Sequence, residues 1–190
     1  MTSAPPGTPP YLELHCHSAY SFLDGVSLPH ELAHSAAELG HTALALTDHN
    51  SVSGSMELAQ SAREVGVRAI HGAEVDAIVE GRVPSSAPEE VRGGRSGGEA
   101  RIAHLTLLVS DARGWGNLCR ILTHAHAGTR EGTGRERSEP SVSLRTVLDH
   151  AEGLVCLTGC AEHGIREEPT ARLLLDAFGP QGLRVELQRP

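Results

Sequence analysis

Short apolar runs alternate with longer amphipathic stretches over most of the chain. The apolar runs predict six β-strands, at residues 11–16, 42–47, 67–75, 104–109, 154–158 and 183–187. The amphipathic stretches carry apolar residues at helical spacing and predict helices at 28–39, 52–65, 114–125, 143–150 and 168–178. Because each strand except the last is followed by a helix or a helical loop, this order predicts parallel βα units, arranged as a barrel or as a doubly wound sheet.

Three segments lack this pattern and are rich in glycine, serine, proline and scattered charges. They are residues 1–10, 80–101 and 128–140. We expect a disordered leader followed by two disordered loops. A length of 190 residues fits one domain of ordinary size. The sequence therefore predicts a single domain over residues 11–190.

Side chains that bind metals stand at the carboxyl ends of the predicted strands. They are His15 and His17 at the first strand, Asp48 and His49 at the second, Glu74 at the third and Cys160 after the fifth. Reactive groups gather at this end of the strands in parallel barrels, which favours a barrel over an open sheet. His104 is the exception, because it begins its predicted strand. Either that boundary is wrong by a few residues or His104 reaches the site in another way.

The spacing of the first two histidines is the strongest local signal for a metal site. Residues i and i+2 of an extended strand face the same side, so His15 and His17 would point together. The following loop brings back the carboxylate of Asp24. An isolated pair of this kind is often an ordinary surface feature. Its combination with Asp48, His49 and Glu74, which end the next two predicted strands, predicts a metal centre.

The composition agrees with metal binding and excludes several other kinds of chemistry. Histidine occurs 12 times, beside 24 acidic residues. All 16 basic residues are arginine, which excludes mechanisms that need a lysine, such as Schiff-base formation. The net charge of −8 argues against binding duplex DNA through a general positive field. Mixed imidazole and carboxylate ligands suit Zn²⁺, Mn²⁺ or Fe²⁺ better than Mg²⁺ or Ca²⁺.

The cysteines and the amino-terminal residues predict a cytoplasmic protein. The four cysteines form no CxxC pair, so we expect reduced thiols. The first ten residues have neither the positive nor the apolar region of a signal peptide. No apolar run reaches the roughly 18 residues of a membrane span. We expect no membrane association.

Five segments together resemble a known family. They are YLELHCHSAYSFLDG, LALTDHN, HGAEV, HLTLLVSDARGWGNLCRILTHAH and GLVCLTGCAEHG. These resemble the PHP (polymerase and histidinol phosphatase) domain, and more narrowly the domain that opens the alpha subunit of bacterial DNA polymerase III, with the error-prone branch most similar. The resemblance covers residues 11–188 apart from the two loose loops. It implies a distorted, TIM-barrel-like (β/α)7 barrel of class α/β.

The resemblance also implies the ligands of a centre with up to three divalent metal ions. By motif, His15, His17 and Glu74 bind one metal, Glu74, His104 and Cys160 a second, and Asp24 and His49 a third. Asp48 would lie beside these ligands. Asp48 and His49 are the candidate catalytic residues, since neighbouring carboxylates and imidazoles can stabilise charge or transfer protons. His163, three residues after Cys160, stays outside this expected ligand set.

One motif of the family has no match in the chain. Family members continue into a seventh strand that ends in an Asp-x-His pair, whereas about six strands are predicted here. We therefore expect an incomplete barrel, from a truncated chain or one closed by a partner segment, and fewer than three metals.

The resemblance implies a metal-dependent phosphoesterase-like domain of an error-prone polymerase, acting in DNA replication or translesion repair. Its role would be phosphoester hydrolysis or that of a scaffold. Expected partners are polymerase domains or replisome subunits of a longer protein, with DNA reached through that context. No polymerase activity is expected from this chain alone. Two alternatives stay open: a free-standing phosphatase of the histidinol-phosphatase type, and a metal-depleted interaction module.

Overall fold

Strand β2 links two compact units of the chain. The computed structural model describes residues 11–79, 101–127, 129, 139–160 and 162–187. The first unit ends at Ala73 and the second begins at Glu74, inside β2 (Arg68–Val79). The predicted leader and most of both predicted loops lie outside the described residues. Within the described residues, no helix is long and apolar enough to cross a membrane.

The first unit contains α1 (Pro29–Glu38), β1 (Ala43–Leu46), α2 (Ser55–Val65) and the start of β2. β1 pairs in parallel with β2, from Ala43 opposite Arg68 to Leu46 opposite His71. The core of this unit consists of small and branched apolar side chains from both helices, from β1 and from the turn before β2. They are Ala33, Ala36, Leu44, Leu46, Leu58, Ala62 and Val67.

Local chemistry explains where the two helices of this unit begin and end. α1 starts with Pro29, whose fixed φ suits the first helical turn. The Glu31 carboxylate accepts a hydrogen bond of 2.7 Å from the backbone N–H of Leu28. α2 ends before Gly66, which has a φ of +75°. A left-handed residue after the last turn is the common end of a helix, and glycine adopts it without a Cβ clash.

The predicted first strand, residues 11–16, is shorter than expected. It forms one parallel bridge, between Glu13 and Leu44. Two backbone donors that a strand ladder would use bond to side chains instead. The N–H of His15 donates to the Glu13 carboxylate, at 3.1 Å, and the N–H of Cys16 donates to the Thr47 hydroxyl, at 3.0 Å. The carbonyls of Glu13 and Cys16 still accept bonds of 2.9 Å from the N–H groups of Ala45 and Thr47. The alternating pattern therefore predicted a paired segment and overestimated the length of the strand.

The second unit contains the rest of β2, β3 (Arg101–Val109), α3 (Ala112–Ala127) and β4 (Val142–Ser143), then α4 (Leu144–Asp149), β5 (Leu154–Leu157), α5 (Glu168–Gly182) and β6 (Leu183–Arg184). Its strands lie in the order β2-β3-β5-β6, and β4 pairs with β2. The β2–β4 and β5–β6 pairs are parallel.

The prediction of parallel units throughout is wrong for β3. This strand runs antiparallel to β5, with Thr106 opposite Leu157 and Val109 opposite Leu154. A continuous apolar run shows that a strand is buried on both faces, but it does not show the direction in which the strand pairs. The antiparallel register brings the amino-terminal half of β3 to the carboxyl end of β5. β3 also begins at Arg101, before His104. The predicted strand boundary was therefore wrong, and His104 also reaches the site in another way, from an antiparallel strand.

The last two elements differ from the prediction in length. α5 continues past the predicted end at Phe178 through a kink at Gly179, which has φ +71° and ψ 171°, followed by Pro180. β6 has two residues instead of the five predicted. The N–H of Glu186 donates to the Thr158 hydroxyl, at 3.1 Å, and so does not take part in a backbone ladder.

Candidate metal centre

Four of the predicted ligands gather in the first unit. The ring centroids of His15 and His17 are 5.3 Å apart, and those of His17 and His49 are 6.3 Å apart. The carboxylate of Asp24 lies 3.8 Å from Nδ1 of His49. The two histidines of the first motif are therefore neighbours, as predicted, although their backbone is not a regular strand.

The buried carboxylate of Asp48 holds the loop that follows His17. Asp48 is 1% exposed and accepts hydrogen bonds from the backbone N–H of Ser18, at 2.7 Å, and from the hydroxyls of Ser18 and Ser21. The hydroxyl of Ser21 also accepts a bond of 2.9 Å from the N–H of His49. These contacts make Asp48 a support for the residues around it. Its catalytic role stays a prediction.

Gly25 packs closely against Ser18, the residue at which the loop begins. A Cβ on Gly25 would lie 2.0 Å from the carbonyl oxygen of Ser18, so no larger residue fits without a backbone shift. The N–H of Ala19 also donates to the carbonyl of Ser27, at 2.8 Å. This closed loop places Asp24 beside His49.

Cys16 lies between the two first histidines in sequence but does not suit a ligand role. Burial, together with the negative charges of Glu13 and Asp48, raises the pKa of its thiol to about 11. The thiol is therefore protonated at neutral pH, whereas metals bind the thiolate. The donors of the first unit are imidazole and carboxylate groups.

In the second unit, one imidazole lies between two carboxylates. Nδ1 of His104 is 3.2 Å from Oε1 of Glu74, and Nε2 is 3.2 Å from Oδ1 of Asp76. Glu74 and Asp76 are two positions apart on β2, so they face the same side. Whichever ring nitrogen binds a metal, the other keeps a carboxylate as its hydrogen-bond acceptor. This arrangement orients metal-binding histidines in many proteins.

The loop after β5 adds a thiol and a second imidazole beside His104. One nitrogen of His104, the sulfur of Cys160 and one nitrogen of His163 all lie within 4.8 Å of one another. The rings of His104 and His163 stack, with centroids 4.6 Å apart and planes inclined by 21°. Donors on one tetrahedral ion are about 3.5 Å apart, so small side-chain movements would suffice. Two nitrogens and one sulfur fit a divalent transition metal.

Gly159 makes the approach of this loop to His104 possible. It has a φ of +82°, and a Cβ there would lie 2.0 Å from the carbonyl oxygen of His104. The N–H of His104 donates to the carbonyl of His163, at 3.0 Å. Backbone contacts therefore fix Cys160 and His163 beside His104.

The predicted site residues thus fall into two groups. His15, His17, Asp24, Asp48 and His49 belong to the first unit, and Glu74, His104 and Cys160 belong to the second. The structure adds Asp76 and His163. The position of Asp76 two residues after Glu74 on a strand could have indicated it, and the spacing of three between Cys160 and His163 is also typical of metal ligands.

The chain is similar over most of its length to proteins of a known family. The PHP domain family matches residues 13–190. Error-prone DNA polymerases from Mycolicibacterium paratuberculosis and an Anaeromyxobacter species are 35% identical over 191 residues and 38% identical over 174 residues. The alignments cover 95% and 90% of this chain, but only 16% and 13% of the polymerases.

Solved structures share the fold at lower identity. A protein from Bifidobacterium adolescentis assigned as a metal-dependent phosphoesterase has a TM-score of 0.59 and 16% identity, over 94% of this chain and 77% of that one. An amidohydrolase from Chromobacterium violaceum has a TM-score of 0.54 and 18% identity, over 92% and 75%. These likenesses confirm the predicted TIM-barrel-like α/β fold class. The chain belongs to the PHP domain family and is homologous to error-prone DNA polymerases.

Proposed function

We propose that this chain is the PHP domain of an error-prone DNA polymerase, and that it binds divalent metal ions and hydrolyses phosphate esters. The observation that carries the proposal is the set of donor groups: three imidazoles and a carboxylate in the first unit, and two imidazoles and a thiol in the second. The identity to curated polymerases supports the context. Polymerase domains of a longer chain are then its partners.

The residues of the first unit would bind metal through His15, His17 and His49, with Asp24 beside His49. Divalent metals, when bound, supply positive charge that stabilises a phosphoryl transition state and makes water more acidic. Asp48 holds the loop in place through Ser18 and Ser21.

The donor types favour Zn²⁺, Mn²⁺ or Fe²⁺. Imidazole binds these ions well, whereas Mg²⁺ and Ca²⁺ prefer oxygen ligands. Phosphodiester hydrolysis, including removal of nucleotides from a DNA 3′ end, is the reaction we propose for a polymerase-associated domain.

The test measures metal content and hydrolysis in the same samples. The purified chain, loaded with Zn²⁺ or Mn²⁺, is assayed on bis(p-nitrophenyl) phosphate, p-nitrophenyl phosphate and a labelled single-stranded oligonucleotide. We expect hydrolysis of the diester and the oligonucleotide, its loss in EDTA, and a fall of roughly 100-fold in the double variant His15→Ala, His17→Ala. His34→Ala, an exposed histidine on α1, is the matched control.

Each outcome bears on the proposal. Preference for the monoester would favour a free-standing phosphatase over a polymerase-associated domain. Less than one metal per chain, measured by elemental analysis, would contradict metal-dependent hydrolysis and support an interaction module. Unchanged activity in the double variant would contradict the assignment of the first motif.

A further inference from the structure

We propose that His163 is a metal ligand, and that with Cys160 and His104 it forms a three-donor site selective for Zn²⁺ among the candidate ions. This inference rests on the proposed metal-dependent function and adds a residue outside the ligands that the family resemblance implies. It concerns residues of the second unit alone. Three observations carry it: the donor distances, the construction of the loop and the chemistry of the donors.

The donor distances already approach those of a bound ion. One nitrogen of His163, one nitrogen of His104 and the sulfur of Cys160 lie within 4.8 Å of one another. The two rings stack at 4.6 Å. A histidine that merely covered the surface would be free to turn its ring toward water.

Three hydrogen bonds place the residues around His163 beside Cys160 and the end of β5. The N–H of His163 donates to the sulfur of Cys160, at 3.2 Å, and the N–H of Gly164 donates to the carbonyl of Cys160, at 2.8 Å. A Cβ on Gly164 would lie 2.5 Å from that same carbonyl oxygen. The next residue, Ile165, donates its N–H to the carbonyl of Thr158, at 2.8 Å. The turn is therefore tight, and His163 returns to the side of Cys160.

The remaining contacts of His104 suit a ligand role. Glu74 and Asp76 lie at its two nitrogens, so one carboxylate stays hydrogen-bonded when the other nitrogen binds the ion. Such a partner fixes the ring and increases its basicity. Glu74 and Asp76 are 3% and 9% exposed, which keeps these contacts away from water.

The donor set determines which ion the site prefers. One thiolate and two imidazoles are typical of Zn²⁺ sites, and three protein ligands leave a fourth position for water or substrate. Mn²⁺ prefers carboxylate, carbonyl and water ligands. We therefore expect Zn²⁺ to compete strongly with Mn²⁺ at this position.

Co²⁺ spectroscopy on the full 190-residue chain tests the proposal. Co²⁺ replaces Zn²⁺ in such sites and gives a near-ultraviolet absorption band when a thiolate is bound. We expect His163→Ala to weaken Co²⁺ binding at the thiolate site by about 100-fold. Loss of a group that only hydrogen-bonds to a ligand already lowers metal affinity by roughly 10-fold to 100-fold. His163→Cys should restore binding and strengthen the band, because a second thiolate replaces the imidazole. His34→Ala should match the wild type.

The outcomes separate this inference from the proposed function. If wild type and His163→Ala bind Co²⁺ equally at the thiolate site, His163 is not a ligand, while metal binding by the domain stands. If the wild type shows no thiolate band, this three-donor site is wrong, and if it also binds no metal, the proposed function fails with it. Circular dichroism of the metal-free variants controls for folding; because His163 is exposed, we expect no change.

Discussion

The buried carboxylate of Asp48 is a support for the loop that begins at Ser18. Its oxygens accept bonds from one backbone N–H and two hydroxyls, and Ser18 and Ser21 are themselves 0% and 2% exposed. A buried donor that loses its acceptor costs about 1–3 kcal/mol. The sequence motif marks Asp48 as functional, but the structure gives this residue a large share in stability as well.

We therefore predict that Asp48→Ala lowers the free energy of unfolding by about 3 kcal/mol, and Asp48→Asn by about half as much, since the amide keeps one acceptor oxygen. Urea denaturation of the metal-free chain measures this. Asp176→Ala, at an exposed position on α5, should stay within about 0.5 kcal/mol of the wild type. An Asp48→Ala variant as stable as that control would contradict the role of Asp48 as a support.

The partly buried ring of His71 makes stability depend on pH. Burial lowers the pKa of His71, since it disfavours the charged imidazolium. The unfolded chain therefore binds a proton more readily than the folded chain. It follows that the contribution of neutral His71 to the free energy of unfolding is fully present above the unfolded pKa of about 6.5. This contribution is lost as the pH falls from that value through the lower pKa of the folded chain.

We predict that the wild type loses more stability between pH 7.5 and pH 5 than His71→Leu does. The two proteins differ at position 71 alone, so the difference between them isolates His71. Urea midpoints in EDTA at the two pH values provide the measurement. His34→Leu should show the full pH dependence of the wild type, and an equal loss in His71→Leu would contradict this explanation.

Helices were easier to predict from the sequence than strand pairing. The predicted helix at 52–65 matches α2, because its apolar spacing and Gly66 are local features. The short strand at 42–47 contains β1. The direction of β3 and the two-residue strand β4 depend on partners far away in the sequence, which a local pattern does not record.

The candidate site shows the same division between local and distant information. The spacing of His15 and His17 predicted neighbouring rings. Spacing alone was a weak indication of Asp76 and His163. Their contacts with His104 depend on the β2–β3 neighbourhood and on the antiparallel register of β5.

The turn at the end of β5 is predicted to tolerate only glycine at position 159. Gly159→Ala introduces a Cβ at a φ of +82° and 2.0 Å from the His104 carbonyl, so it adds a backbone clash to the strain of a left-handed residue. Gly40 offers a matched control, because its φ is +78° and a Cβ at that position would have no neighbour within 4 Å among the described residues.

We expect Gly159→Ala to lower the free energy of unfolding by more than about 3 kcal/mol, and Gly40→Ala by only about 1–2 kcal/mol. Urea midpoints compare the two variants. Equal losses would mean that the β5 turn moves away from His104 at little cost.

Thiolate absorption allows the proposed ligands of the second unit to be tested on their own. His15, His17 and His49 belong to the first unit, and His104, Cys160 and His163 to the second. Cys160 is the thiol among these groups. The thiol of Cys16 stays protonated, because its own pKa is raised. A thiolate band of bound Co²⁺ therefore reports on the second unit alone.

We predict that the double variant His15→Ala, His17→Ala binds fewer Co²⁺ ions per chain and keeps the thiolate band, whereas Cys160→Ser loses the band and keeps the ions of the first unit. Elemental analysis and absorption spectra of the same samples measure both quantities. Each retained ion should also raise stability, by about 2.7 kcal/mol at a free concentration 100 times its Kd, because it binds the folded chain alone. If either variant lost every ion and the band together, this prediction would be wrong.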